Sequence, residues 1–198
     1  MNFLAHQYLS FQIPEIQLGN LYGEIVRGKD YLEFENGIRT GILLHRQIDT
    51  YTDAHDSVKN SSQKFHAKYG KYAPVIVDVV YDYILIQNWE KYSQQPYNEY
   101  VNYCYELFRK HFDLFPSRLQ FIIKHLLEHD WFHNYTNLNG IRKTLEGISQ
   151  RSKFPNNIGE AVREFQIHQP ELEKDFELFF PELTTHCRNF LKESDFKV

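Results

Sequence analysis

A histidine and an aspartate lie four residues apart in a mostly apolar stretch of the sequence, residues 41–53. If this stretch is helical, Ile42, His45 and Asp49 follow one another at steps of three and four residues and share one face. Ionisable groups on a face directed at a core need a partner, because burying an unpaired charge is costly. A metal ion or another charged residue is the expected partner of this pair.

Two aspartates share a face of a second predicted helix. Asp78 and Asp82 are four residues apart, and Leu85 and Trp89 continue the same face with apolar side chains. The neighbouring residues are almost all apolar, which indicates a buried helix. Two buried carboxylates repel each other and lose solvation, and a divalent cation or a nearby arginine would remove both costs. The alternatives are a solvated acidic edge and a salt bridge to arginine.

Three further ionisable residues have ordinary structural explanations beside a functional one. His6 lies in a short apolar segment, where a lone histidine is more often a hydrogen-bonded core residue than a ligand. Glu24 follows Gly19 and Gly23, whose small size would let another helix approach and bring neighbouring backbone near the carboxylate; the alternative is an exposed Glu24. Asp53 lies where a helix N-cap is expected, and capping alone would explain it.

These side chains form a mixed nitrogen and oxygen donor set drawn from four predicted helices. The set is His6, Glu24, His45, Asp49, Asp78 and Asp82. Such donors suit Mn²⁺, Mg²⁺ or Fe²⁺, and the expected chemistry is metal-assisted hydrolysis, in which the ion activates a water and polarises a phosphoryl oxygen. The sequence contains no P-loop, G-x-G-x-x-G, H-E-x-x-H or E-x-x-H motif, and the last absence argues against a ferritin-like di-iron bundle.

Composition is consistent with a single domain that folds without disulfides or a structural zinc site. The chain has 198 residues, 42% hydrophobic and 16% aromatic, with a formal net charge of −4 that does not favour nucleic-acid binding. Cys104 and Cys187 form no C-x-x-C motif, which favours a reducing compartment. No apolar run approaches the roughly 20 residues of a membrane helix, and residues 1–6 do not resemble a signal peptide. We therefore expect a cytoplasmic protein without a membrane partner.

Helical periodicity extends over nearly the whole sequence and predicts a single all-α domain, residues 1–198, of about eight to ten helices. Glycine and proline fall between periodic segments, and no alternating segment predicts a hairpin. The predicted helical segments are residues 2–12, 15–27, 35–50, 53–70, 74–89, 96–112, 116–135, 138–151 and 158–192, the last interrupted near Pro170 or Pro181.

Four blocks of this sequence resemble the acyl carrier protein phosphodiesterase family. The blocks are residues 1–6, 19–28, 41–53 and 77–82, with weaker similarity at Trp89, Trp131, Tyr135, Arg151 and 179–181. The order and spacing of the blocks carry the resemblance over almost the whole chain. It implies an HD-like helical fold and hydrolysis of the phosphodiester between 4′-phosphopantetheine and a serine of holo acyl carrier protein, with Mn²⁺ or Mg²⁺. The products would be apo carrier protein and free 4′-phosphopantetheine.

The resemblance also implies roles for individual residues. Matches to positions usual in the family are His6, His45, Asp49, Asp53, Asp78 and Asp82. The chain departs from the family at Glu24, where aspartate is usual, and at Tyr83, where histidine is common. The extra methylene of glutamate could shift the metal geometry, and tyrosine cannot act as a base at neutral pH.

From these observations we predict a specific division of labour. The predicted metal ligands are His6, Glu24, His45, Asp49 and Asp82. Asp78 or Asp53 would orient or deprotonate the attacking water, and Arg46 and Arg27 would hold phosphate. A local basic patch would face the acidic carrier protein, and its members are Arg27, Lys29, Arg39 and Arg46.

Two other hypotheses fit the same residues. One is an HD-like phosphohydrolase of a nucleotide or another small phosphoester. The other is a helical carrier-protein-binding protein that has kept the fold and lost turnover, with Glu24 and Tyr83 marking the loss. The sequence does not indicate the number of metals or the oligomeric state.

Overall fold

Eleven α-helices and four short 3₁₀ turns form the part of the chain that the computed structural model describes, residues 2–194 and 196. The helices are α1 (Phe3–Tyr8), α2 (Pro14–Gly23), α3 (Asn36–Ala54), α4 (Asp56–Tyr69), α5 (Ala73–Gln87), α6 (Trp89–Tyr92), α7 (Tyr97–Lys110), α8 (Ser117–Glu128), α9 (Trp131–Asn134), α10 (Leu138–Arg151) and α11 (Ala161–Glu193). These residues include no strand, so the all-α prediction is confirmed. Within the same ranges, no helix combines the length and apolar character needed to cross a bilayer.

The pairing of α2 with α3 positions the His–Asp face, and glycines make it possible. A Cβ on Gly19 would lie 2.2 Å from the carbonyl oxygen of Ile38 and 2.8 Å from the Cα of Gly41. A Cβ on Gly23 would lie 2.3 Å from Cγ of His45, so the ring of that histidine occupies the space that a side chain would need. The close approach expected at Gly19 and Gly23 is therefore present.

Helix α5 lies at the centre of the fold and contacts α1, α4, α10 and α11. Its apolar side chains are almost all buried, among them Val77, Tyr81 and Leu85. The nearly uniform apolar sequence of this helix predicted that burial. Asp82 is fully buried within the same helix, so its carboxylate must find partners inside the protein.

Helix α11 runs without a break from Ala161 to Glu193, so the predicted interruption near Pro170 or Pro181 is wrong. Proline removes a backbone donor and crowds the preceding turn. Tertiary packing nevertheless holds the helix together, because its apolar face is buried along its length. The fully buried side chains near the second proline are Phe176, Phe179, Phe180 and Leu183.

Two other boundaries differ from the prediction for local reasons. Asp53 lies inside α3 and does not cap α4; the cap is His55, whose Nδ1 accepts from the backbone N–H of Ser57 at 3.2 Å. The segment predicted over residues 116–135 is two helices, because Asp130 adopts a left-handed φ of 48° between them. Gly70 ends α4 with a φ of 52°, as expected of a C-terminal glycine.

Candidate metal centre

Three predicted ligands from two helices meet at one point. Nε2 of His6, on α1, lies 3.2 Å from Oδ1 of Asp49, and Nε2 of His45 lies 3.3 Å from Oδ2 of the same carboxylate. One ligand atom from each of the three residues lies within 4.8 Å of the others. Both imidazoles are buried, whereas 49% of the Asp49 side chain is exposed, so the centre opens to solvent on the aspartate side.

Asn20 fixes the chemical state of both imidazoles. Its Oδ1 lies 2.9 Å from Nδ1 of His6 and 2.9 Å from Nδ1 of His45. Its Nδ2 donates to the carbonyl oxygen of His6 and to Oγ of Ser10, so the orientation of the amide is determined. Since Oδ1 can only accept, both Nδ1 atoms carry a proton, and in a neutral ring this leaves Nε2, on the side of Asp49, as the nitrogen that can bind a metal.

The protonation states of His45 and Asp49 favour the binding of a cation. Burial, together with the neighbouring His6, lowers the pKa of His45 to about 3, so this ring is neutral at neutral pH. Burial raises the pKa of Asp49, but its contact with His6 and the influence of both imidazoles outweigh that effect and lower the pKa to about 2. An ionised carboxylate and two imidazole Nε2 atoms therefore lie side by side, and all three are suitable ligands for one divalent ion. The three donors therefore fit a divalent metal with open positions.

Glu24 lies beside this centre, directly after α2. Burial raises the pKa of its carboxyl group, the nearby His6 lowers it, and the nearby Asp49 raises it. Among the described residues, the cluster of mutually close ligand atoms does not include Glu24, so the structure does not bring its carboxylate into the group. The ligand role of Glu24 stays a prediction.

Asp82, also predicted as a ligand, instead holds α1 in place through the backbone of that helix. Its two carboxylate oxygens accept from the backbone N–H groups of Leu4 at 3.1 Å and Ala5 at 3.3 Å. Among the described residues, the cluster of mutually close ligand atoms at this centre contains His6, His45 and Asp49 and does not extend to Asp82. Asp82 therefore holds the helix that carries His6. Burial raises the pKa of its carboxyl group to about 7.

The two predicted water-activating acids lie on different helices, Asp53 on α3 and Asp78 on α5. Asp53 is exposed and Asp78 is half-buried. Burial raises the pKa of Asp53, and the charges of Asp78 and Asp49 raise it further. The three carboxylates thus form an acidic edge beside the histidines.

The predicted phosphate-binding arginines contact backbone carbonyls of the connection between α2 and α3. Arg46 donates to the carbonyl oxygens of Gly28 at 2.8 Å and Val26 at 3.4 Å, and its guanidinium lies 5.1 Å from the centroid of the Tyr31 ring. Arg27 donates to the carbonyl oxygen of Glu24 at 3.0 Å and is exposed. Arg46 therefore braces the connection, and Arg27 remains accessible to a ligand.

Tyr83 is directed away from the centre. Its ring packs edge-on against Phe165 of α11 at 5.5 Å between centroids, and burial together with the charge of Glu173 raises its pKa. A tyrosine at this position therefore contributes to the packing of α5 on α11. The departure at Tyr83 does not bear on the metal geometry.

A cavity of about 450 Å³ lies between the start of α1, which carries His6 one turn further along, and the helices α9 and α10. Asn2, which caps α1, donates from Nδ2 to the hydroxyl of Tyr135 at 2.9 Å. Burial raises the pKa of Tyr135, and the charges of Asp82, Arg151 and Glu24 also act on its hydroxyl. Periodicity gave no signal for this cavity, although Tyr135 and Arg151 were weak points of family similarity.

Two features of this region were not predicted from the sequence. Asn20 is not among the predicted site residues, because an uncharged amide gives no signal of a role in a metal centre. On α8, the ligand atoms of His125, Glu128 and His129 also lie within 4.8 Å of one another. Their spacing of three and four residues could have revealed this second, more exposed group.

Comparison with known proteins gives matches to one family. A sequence model of the family described as acyl carrier protein phosphodiesterase matches residues 1–183. A Yersinia enterocolitica protein named acyl carrier protein phosphodiesterase is 30% identical over 190 residues, 96% of this chain and 98% of the relative. Proteins of the same name from Enterobacter sp. strain 638 and Escherichia coli O139:H28 are 27% and 28% identical, over 96% and 92% of this chain and 98% and 95% of theirs. No solved structure gives a significant match.

Proposed function

The chain belongs to the acyl carrier protein phosphodiesterase family, and we propose on this basis that it hydrolyses the phosphodiester between 4′-phosphopantetheine and a serine of holo acyl carrier protein. Water adds to phosphorus, the bond from phosphorus to the serine oxygen breaks, and that oxygen takes up a proton. The products are apo carrier protein and 4′-phosphopantetheine. The observation that supports a hydrolytic site is the convergence of His6, His45 and Asp49 with both imidazoles oriented by Asn20.

We propose Mn²⁺, or alternatively Mg²⁺, as the cofactor. His6, His45 and Asp49 would hold it, and Glu24 would add a carboxylate at the edge. When bound, such an ion lowers the pKa of a coordinated water and polarises a phosphoryl oxygen. Two imidazole donors favour Mn²⁺ over Mg²⁺, which prefers oxygen ligands and retains water.

Asp53 and Asp78 are the proposed acceptors of the proton from the attacking water. Burial, together with the charges of Asp78 and Asp49, raises the pKa of Asp53, which makes its carboxylate a stronger base than an isolated aspartate. Both groups lie on the open side, where a substrate can approach. Arg27 is accessible for a phosphate contact, and Arg46 acts by holding the connection that carries Arg27.

Removal and replacement of metal test this proposal directly. Holo acyl carrier protein is incubated with the metal-free chain, and release of 4′-phosphopantetheine is followed by intact-protein mass spectrometry. We expect no release in excess chelator, recovery with Mn²⁺, and no recovery for His45→Ala. His66→Ala, which removes an exposed histidine on α4, is the matched control and should behave as wild type. Full activity in excess chelator would refute the metal-dependent mechanism.

A further inference from the structure

We propose that the cavity between the start of α1, α9 and α10 receives the pantetheine arm of the substrate, with Arg151 and Lys143 directed to its phosphate end. This inference rests on the proposed function, because it takes the arm of holo acyl carrier protein as the occupant. It assigns a binding site to residues outside the metal centre. The carrier protein itself would remain outside the cavity.

The size and lining of the cavity suit this occupant. A volume of about 450 Å³ lies within the range of roughly 300–1,000 Å³ typical of small-molecule sites. Phe3 and Trp131 form one apolar wall, with their rings edge-to-face at 5.5 Å, and Ile148 contributes another apolar side chain. Asn134 and Thr144 add polar groups to the lining. Pantetheine has a matching mixture, because amide groups and a hydroxyl alternate with short alkyl segments along its chain.

The cavity and the metal centre share a boundary formed by the start of α1. Asn2 caps α1 and donates to Tyr135, which lines the cavity, while His6 lies one turn further along the same helix. A phosphodiester at the metal centre would therefore have its pantetheine side next to the opening of the cavity.

The charge distribution orients the occupant. Arg151 and Lys143 are exposed cations in the lining of the cavity, on the same helix α10. A phosphate would be attracted to these cations, whereas the neutral pantetheine chain fits the wall formed by Phe3 and Trp131. The arm therefore enters with its phosphate towards the arginine.

Gly147 leaves this space open. It lines the cavity in the middle of α10, where glycine is less favourable than alanine. A Cβ at this position would meet only the guanidinium of Arg151, at 3.4 Å and 4.0 Å. A larger side chain there would therefore enter the cavity without clashing with the backbone, and it would also displace the guanidinium of Arg151.

Binding of free 4′-phosphopantetheine to the full-length chain tests the inference without requiring turnover. We expect saturable binding by calorimetry and a change in the fluorescence of Trp131 that is absent in Trp131→Phe. Gly147→Leu should weaken binding at least tenfold. Gln150→Leu places the same side chain at an exposed position of α10 outside this cavity and should bind as wild type.

A second variant separates the phosphate contact from the space of the cavity. Arg151→Gln should weaken 4′-phosphopantetheine binding about tenfold, the effect of one charged hydrogen bond, and leave the binding of phosphate-free pantetheine unchanged. Absence of saturable binding to wild type, or equal binding by wild type, Gly147→Leu and Arg151→Gln, would overturn the inference.

The two proposals fail in different ways. Binding of the arm without hydrolysis of holo acyl carrier protein would refute the proposed function alone. Hydrolysis with arm binding unaffected by Gly147→Leu and Arg151→Gln would refute the cavity assignment alone.

Discussion

At the scale of single residues, Asn20 has more influence on the site than its neutral side chain suggests. One amide oxygen accepts from both imidazoles, and the amide nitrogen is held by Ser10 and the His6 carbonyl. This arrangement keeps both Nε2 atoms directed at Asp49. Groups that orient metal-binding histidines in this way typically contribute a factor of about 10–100 to metal affinity or activity.

Replacing Asn20 should therefore weaken metal binding without removing a ligand. For Asn20→Leu, which preserves size and removes the hydrogen bonds to both imidazoles, to the His6 carbonyl and to Ser10, we expect Mn²⁺ affinity to fall about 10–100-fold by isothermal titration calorimetry. Asn60→Leu, at an exposed position of α4, is the control. Equal affinity of wild type and Asn20→Leu would show that the imidazoles do not depend on this amide.

At the scale of elements, the six-residue helix α1 depends on its neighbours, because a helix this short is not stable alone. The carboxylate of Asp82 on α5 accepts hydrogen bonds from two N-terminal backbone amides of α1. The side chain of Asn2 accepts a third, from the backbone amide of Phe3. A buried carboxylate on α5 thus holds a histidine on α1. This long-range dependence makes the position of the metal centre a property of the folded chain.

Asp82 should make stability depend on pH. Burial raises its pKa from 3.8 to about 7, so between these values the folded state binds a proton that the unfolded state has lost. The free energy of unfolding of the metal-free chain should therefore fall as pH rises through this window, by up to about 1.4 kcal/mol per pH unit. Urea unfolding of Asp82→Asn should lack this slope. Asp56→Asn, an exposed substitution on α4, should retain the slope. The same pH dependence of the free energy of unfolding for wild type and Asp82→Asn would contradict the assignment.

Much of this architecture could be predicted from the sequence, where local patterns determine it. The periodicity of α3 placed His45 and Asp49 on one face, and glycines predicted the close packing of α2. Convergence of His6 on that face depends on tertiary contacts that periodicity does not report. Asp82 was correctly predicted to need a partner, but the backbone amides that provide one give no sequence signal. The continuity of α11 was missed because burial of its apolar face outweighs the effect of its prolines.

At the scale of the whole molecule, the location of charge matters more than the net charge of −4. Arg27 and Lys29 are exposed on the connection next to the centre, whereas Arg39 and Arg46 donate to carbonyls of the same connection. An acidic carrier protein would meet Arg27 and Lys29 as its arm approaches the metal centre and the adjoining cavity.

Charge reversal on this connection should affect encounter with the carrier protein more than chemistry. For Lys29→Glu we expect KM for holo acyl carrier protein to rise about tenfold at low salt, kcat to stay within about twofold, and the difference to shrink at high salt as charges are screened. Steady-state kinetics over a salt series measures this effect. Lys174→Glu, exposed on α11, is the control; an equal effect of both reversals would exclude a local docking contact.

Anomalous diffraction at the manganese absorption edge, from crystals of the chain grown with Mn²⁺, tests the metal centre most directly. The predicted result is an anomalous peak within about 2.0–2.3 Å of Nε2 of His6, Nε2 of His45 and a carboxylate oxygen of Asp49. The absence of a peak there, or a peak confined to the His125–Glu128–His129 group on α8, would contradict it.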